Sequence, residues 1–273
     1  MTADDQQVDW VPDKVDLTSP NSARVYDFML GGACNFAADR DFAQRVLTML
    51  PDLRGAAVQN RAFLRRAVEE LTELGIRQFL DIGSGIPTVG NTHEVAQRSA
   101  PGSRVVYVDN EPMAVAHSEM MLRDNPDAAI VNADMRDPDG VLSAVEDIRL
   151  LDFTEPIALI MCAILHFVPE DGDPLELLAR YRAALIPGSY LVISHGTDGE
   201  KDQDTANSAA SMYDRTATPL TLRSRGRIAE LFTGWELEPP GVVYTTQWRP
   251  EFPEEAEREP ERSLLYGGLA RKA

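Results

Sequence analysis

Beyond Gly75 the chain alternates short apolar runs with stretches of helical spacing, and this rhythm constrains its fold more than any other feature. Runs at 78–82, 104–109, 129–133, 157–162 and 190–194 have the length of strands, and helical patterns occupy 92–99, 113–123, 140–147 and 175–185 between them. Strand–helix–strand repetition requires crossover connections, so the strands run parallel and helices cover both faces of the sheet. A further helix is predicted at 222–232, followed by extended segments near 235–237 and 242–246 and a final run at 263–269. Strands on either side of the turn Pro239-Pro240-Gly241 imply antiparallel pairing at one sheet edge. The predicted fold class is therefore α/β: a doubly wound, mostly parallel seven-stranded sheet with an antiparallel edge.

Ahead of that rhythm the pattern is helical. Val25, Phe28 and Met29 precede a Gly31-Gly32 break, and Phe42, Val46, Leu47 and Leu50 recur at spacings of three to four until Pro51. Phe63, Leu64, Ala67, Val68, Leu71 and Leu74 form one apolar stripe, with Gly75 suited to the C-terminal cap. These segments predict an N-terminal helical cap at 20–75 before a core at 76–273, with a loosely held polar tail at 1–19. The Glu- and Pro-rich stretch 251–261 reads as a solvated loop.

Composition excludes several classes. No apolar stretch reaches the ~18 residues of a membrane span, and the acidic, polar start does not read as a signal peptide, so a soluble cytoplasmic protein is expected. Cys34 and Cys162 stand far apart in different contexts, which supports neither a disulfide framework nor a zinc site; no metal is expected. With 44 acidic against 26 basic side chains the net charge is -18, a field that repels phosphate backbones and anionic membranes. Nucleic acid is an unlikely partner on that ground, although acids and bases nearly balance between Arg24 and Arg77. The sequence sets no oligomeric state.

In an open parallel sheet, ligands bind beyond the carboxyl ends of the strands where strand order reverses. The first such loop reads Asp81-Ile82-Gly83-Ser84-Gly85. Its glycines allow a sharp turn and close approach of a ligand, and they equally suit a plain tight strand-to-helix turn. Asp81 ends an apolar strand, where a carboxylate is costly without donors or a cation. Asp109 closes the second strand 24 residues beyond Gly85, about where an acid grips ribose hydroxyls, and Asp134 follows the third, within reach of an exocyclic adenine amine. Any one of these acids can also be a helix N-cap or turn residue.

A nicotinamide dinucleotide fits poorly. Its fingerprint wants a third glycine three residues after the second, and Thr88 stands there; Asp81 also suits the ammonium of an amino acid better than a pyrophosphate. A hydrolase elbow would need glycine two residues on either side of Ser84, where Ile82 and Ile86 stand. Methionine, ribose and adenine together describe S-adenosylmethionine.

This series of segments resembles the Rossmann-like class I methyltransferases, through Asp81-x-Gly83-x-Gly85, Asp109, Ala133-Asp134 and Leu185-Ile186-Pro187-Gly188. More narrowly, Ala23-Arg24-Val25-Tyr26-Asp27, Leu30-Gly31-Gly32, Asn35-Phe36, Asp39-Arg40 and Asn60-Arg61-Ala62-Phe63-Leu64 resemble the N-terminal part of a bacterial, largely actinomycete methyltransferase family whose substrates are mostly unassigned. The resemblance implies a cofactor pocket lined by Asp81, Gly83, Ser84 and Gly85 at the methionine, Asp109 and Asn110 at the ribose, and Asp134 with Met135 at the adenine. The loop after Gly85 is long, with a predicted Asn91 N-cap partnered by Glu94, which argues against Ile86 to Gly90 as ligand residues.

For a hydroxyl or protonated amine acceptor, histidine is the best-matched base near neutral pH. His166 and His195 follow the fourth and fifth strands and are the candidate catalytic residues, each open to the alternative of a satisfied buried histidine. The segment 24–40 is expected to fold over the cofactor as a lid with Tyr26, Asn35 and Arg40 reaching inward, or else to pack away as a buttress. The fourth strand lacks the Asn/Asp-Pro-Pro-Tyr/Phe run that grips planar amines in enzymes methylating nucleic acid and glutamine, which argues against those acceptors; a small-molecule acceptor methylated at oxygen is the leading expectation. A non-catalytic S-adenosylmethionine sensor with the same fold is the alternative.

Overall fold

The computed structural model describes residues 15–87, 90–198, 203–213, 216 and 218–273; most of the expected tail (1–14) and Thr88 lie outside the described residues. The N-terminal helices are α1 (Ser22–Met29), α2 (Ala37–Met49) and α3 (Leu53–Glu73). Then follow β1 (Gln78–Ile82), α4 (Thr92–Ser99), β2 (Arg104–Asp109), α5 (Pro112–Leu122), β3 (Ala128–Asn132), α6 (Pro138–Ile148), β4 (Ala158–Cys162), α7 (Pro174–Ala184) and β5 (Tyr190–Gly196). The chain continues through α8 (Gln203–Tyr213), α9 (Arg225–Glu230), β6 (Glu236–Leu237), β7 (Val243–Tyr244), α10 (Pro253–Ala256) and β8 (Leu265–Arg271).

Strand order is β3-β2-β1-β4-β5-β8-β6, with β7 also on β8, and the first five pair in parallel. Order reverses between β1 and β4, so the loops after those strands open into one crevice. β1 and β5 are buried along their whole length, which is why they are mostly apolar, with Gln78, Asp81, Ser194 and His195 as buried polar exceptions. One core face carries Tyr181, Phe232 and Trp235 beneath α6, α7 and α9. The other packs the α3 stripe of Phe63, Leu64, Ala67, Val68 and Leu71 against Phe79 and Trp248. Leu74, expected in that stripe, is the exposed C-cap of α3.

The antiparallel edge differs from expectation in detail. β6 and β7 do not pair with each other across the Pro239–Gly241 turn; both lie end to end along β8. Among the described residues this makes eight strands across seven positions, because the outermost one is broken in two. The helix expected at 222–232 starts later, at Arg225, since Arg223 is spent on an extended bridge to Thr197. Helix α8 has no counterpart among the helical patterns of the sequence. The stretch 251–261 is mostly exposed, as expected, but it carries α10, and Glu251 pairs with Arg65 of α3.

The expected loose tail is also tied down from Asp16. Arg24 Nη2 donates to the carbonyls of Asp16 (2.9 Å) and Ser19 (2.8 Å). Its other nitrogens meet Asp39 and Glu111, both at 2.9 Å, in an ion triad buried between the cap and the loop after β2.

Candidate active site

One cavity of about 880 Å³ lies over the carboxyl ends of β1, β2, β4 and β5, roofed by α1, α2 and the first half of α3. That half of α3 begins ten residues before the apolar stripe, and its cavity-lining positions Leu53, Ala57, Asn60, Arg61 and Leu64 share one helical face. A face directed at a cavity carries polar residues that blur the apolar period, which is why sequence periodicity did not extend the helix this far.

The residues expected at the cofactor, Asp81, Gly83, Ser84, Gly85, Asp109, Asn110, Asp134 and Met135, all line the same cavity. Asp81 is buried, and burial raises its carboxyl to about 6 against the opposing pull of the Thr92 hydroxyl and the Arg61 charge; the Asp109 charge adds to the rise. Thr92 Oγ1 donates to it at 2.6 Å. Asp109 accepts Gly85 N–H (2.7 Å) on one oxygen and Glu111 N–H (2.9 Å) on the other. These bonds lock the glycine loop to the end of β2 and leave each oxygen with acceptor capacity toward the cavity. Asp134 is held below its ordinary range chiefly by Arg136, whose Nε and Nη2 reach its two oxygens.

The loop is shaped to be approached. Gly83 has φ +71°, and a Cβ there would overlap the Ile164 side chain. Ala163, just before Ile164, also adopts a left-handed conformation (φ 55°), anchored by Ser194 Oγ at 2.9 Å from its N–H. Two polar atoms of the lining, Ser84 Oγ and Arg61 Nε, are buried without a hydrogen-bond partner. A buried orphan donor is costly, and two on cavity-lining residues beside a buried carboxylate fit a zwitterionic amino-acid group: carboxylate on Arg61 and Ser84, ammonium on Asp81.

The lid residues divide. Tyr26 lines the cavity; its hydroxyl donates to Ala57 O (3.2 Å) and accepts from Asn60 Nδ2 (3.0 Å), while Asn60 Oδ1 takes the Ser194 hydroxyl (2.6 Å). Asn35 and Arg40 do not line it. Asn35 Nδ2 donates to Asp27 Oδ2 (2.8 Å) and Gly32 O (2.9 Å), and Arg40 Nη1 holds Asn35 O (2.7 Å), so this pair ties the turn after α1, the buttress alternative.

The two histidines divide likewise. His166, in a 3-10 turn (Leu165–Phe167), lines the cavity, and Gly196 N–H donates to its Nδ1 at 3.3 Å. Burial first, then the Arg223 charge, lowers it to about 3. His195 is wholly buried and lies off the cavity, with Nδ1 on Gly196 O (2.7 Å) and Nε2 on Arg223 Nη1 (2.8 Å). Both its nitrogens are used, so His195 is corrected from catalytic candidate to satisfied core residue. Arg223, missed in the sequence, pins the turn that carries His166 by donating to Leu165 O and Val168 O. Cys162 ends β4 on the cavity wall; burial and then the Asp81 charge push its thiol up to about 12, so it stays protonated.

A family model described as S-adenosyl methyltransferase matches residues 8–273. The chain belongs to that family. A DUF574 family protein from Streptomyces avermitilis is 40% identical, with a TM-score of 0.89 over 94% of this chain and 99% of its own. A methyltransferase candidate from Thermobifida fusca is 39% identical, again at 0.89, over 96% of this chain and 98% of its own. Human N-acetylserotonin methyltransferase, solved with its cofactor, shares the class I fold at 16% identity and a TM-score of 0.51 over 91% of this chain and 62% of its own. No curated protein matches. This member of the S-adenosyl methyltransferase family is thus an S-adenosylmethionine-dependent enzyme, and no helix among its described residues is long and apolar enough to cross a membrane.

Proposed function

We propose that this methyltransferase moves the methyl group to an oxygen atom of a small organic acceptor with an apolar body. The carrying observation is the chamber over the cofactor side, enclosed by Met29, Val46, Leu50, Phe167, Tyr213 and Leu222. Of the lining arginines, Arg136 is paired with Asp134, Arg262 with Asp52 at the rim, and Arg61 is assigned to the carboxylate of the cofactor. A phosphorylated acceptor would find no free cation there among the described residues. After β4 the chain reads Ala163-Ile164-Leu165-His166 and offers no planar amide grip for an exocyclic amine.

In this reading Asp81, Arg61 and Ser84 hold the methionine end of the cofactor, Asp109 with Asn110 the ribose, and Asp134 with Met135 the adenine. Tyr26 belongs to the roof. When bound, the cofactor supplies an electrophilic methyl on a sulfonium; the chain orients it and excludes water, which accounts for much of the acceleration in such displacements. Calorimetric titration with S-adenosylmethionine, S-adenosylhomocysteine and NAD, followed by a labelled-methyl screen of hydroxyl- and amine-bearing compounds, tests the proposal. The expected result is micromolar binding of both adenosyl ligands, none of NAD, and label recovered as methyl ether or ester. Label on nitrogen alone would overturn the oxygen assignment.

A further inference from the structure

His166 and His195 end up side by side, ring centroids 5.6 Å apart, yet their hydrogen bonds give them opposite proton assignments. A backbone N–H can only donate, so Gly196 N–H at 3.3 Å makes His166 Nδ1 an acceptor and leaves the neutral ring's proton on Nε2. For His195 the carbonyl of Gly196 and the guanidinium of Arg223 fix the reverse, with the proton on Nδ1. His166 Nε2 makes no hydrogen bond among the described residues, while the ring lines the cavity.

A histidine so held is poorly placed to be a base. Its free lone pair is spent on the backbone, and its cavity-side nitrogen already carries hydrogen. An imidazolium would forfeit the Gly196 bond and face Arg223, itself pinned by Glu170 at 2.8 Å, across a buried neutral His195. Burial and the Arg223 charge, which lower His166 to about 3, act in the same direction.

Resting on the proposed function, we propose that His166 donates its Nε2–H to an acceptor oxygen that is already ionised, so that the substrates of this enzyme are weakly acidic hydroxyl compounds, phenols or enols. The acceptor's proton goes to solvent on binding. The oxyanion then forms a bond to the methyl carbon as the carbon–sulfur bond breaks and its electron pair stays on sulfur. Negative oxygen and positive sulfonium cancel, giving a neutral ether and S-adenosylhomocysteine, and no proton moves in the transfer step. The hydrogen bond gives up some nucleophilicity. In exchange it keeps the oxygen ionised in an apolar chamber that would otherwise favour the neutral hydroxyl.

The first test needs no substrate. Long-range 1H–15N correlation on the labelled protein, with the His166 signals assigned by their loss in His166→Gln, reads the tautomer directly. A neutral Nε2–H ring from about pH 5 to about pH 9 is expected; an Nδ1–H tautomer, or protonation near the ordinary histidine range, overturns the proposal. The second uses 4-nitrophenol, whose ionised form is coloured, with the S-adenosylhomocysteine complex. Bound phenolate is expected below the solution ionisation point of the probe. His166→Gln, which keeps an N–H in place, should retain affinity within about threefold, and His166→Ala should lose about tenfold or more with S-adenosylhomocysteine affinity unchanged. Binding as neutral phenol, equal loss in both variants, or no binding overturns it. Failure of S-adenosylhomocysteine itself to bind would instead strike the cofactor reading, and the tautomer measurement on the free protein would still decide His166.

Discussion

At the scale of single residues, Asp81 shows how a buried carboxylate at a proposed binding position costs stability. Its folded-state carboxyl lies at about 6, above the 3.8 of an exposed one, because burial disfavours its charge. Between those values the folded protein binds the extra proton, so this group contributes stability that grows as pH falls from about 6 toward 3.8 and is absent above 6. Asp81→Asn should therefore raise stability at pH 8 by about 1–3 kcal/mol, read from urea unfolding, while abolishing measurable S-adenosylhomocysteine binding. In the wild type, cofactor affinity should fall as pH drops through about 6, where Asp81 loses the charge proposed to face the ammonium; a flat affinity from pH 5 to 8 would remove Asp81 from that role. Gly83 is constrained by shape alone. With φ +71° and Ile164 against the Cα, Gly83→Ala should cost about 1–3 kcal/mol of stability and most of the cofactor affinity. An alanine variant that melts and binds as the wild type does would mean the loop has room that the structure does not show.

At the scale of elements, the cap is fastened to the core by charge as well as by apolar contact. Arg24 of α1 bridges Asp39 of α2 and Glu111, the N-cap of α5, with all three side chains buried. Glu111 also sits two residues beyond Asp109, to which its N–H donates, so the fastening ends beside the proposed ribose acid. Removing the cation leaves two buried carboxylates without it. Arg24→Met should destabilise by about 3–5 kcal/mol in urea unfolding, and amide exchange should quicken in α1 and α2 before the sheet. Loss of less than about 1 kcal/mol would mean that the backbone donors on Asp39 and Glu111 suffice. Helix α3 works in two halves: its first lines the cavity and its second packs on the sheet, so that Asn60 and Arg61 are carried by an element whose position the core fixes.

At the scale of the whole molecule, a net charge of -18 means that folding gathers like charges into a compact body. Raising ionic strength from about 0.01 M to about 0.15 M shortens the screening length from ~30 Å to ~8 Å. The melting temperature should rise by a few degrees over that range in sodium chloride, as self-repulsion is screened. A melting temperature that falls instead would mean that ion pairs such as the Arg24 triad outweigh the repulsion.

By itself the sequence determined the parallel sheet, helix α4 at 92–99 with Asn91 and Glu94 at its start, and the acids at the ends of successive strands. The physical reason is that a strand buried on both faces is a local apolar run, and the polar residue that ends it marks the edge where the sheet opens to ligands. Only the tertiary structure decided which candidates share the cavity. Asn60 meets Ser194 134 residues away, and Arg223 takes up His195 28 residues before it. The turn of Asp27, Asn35 and Arg40 closes on itself and leaves Tyr26 alone of the expected lid residues at the cavity. The final edge formed by both β6 and β7 docking on β8, where local turn chemistry had suggested a hairpin. Each of these outcomes turns on which hydrogen-bond partner a side chain or edge strand meets across the fold, and residue order along the chain carries no such information.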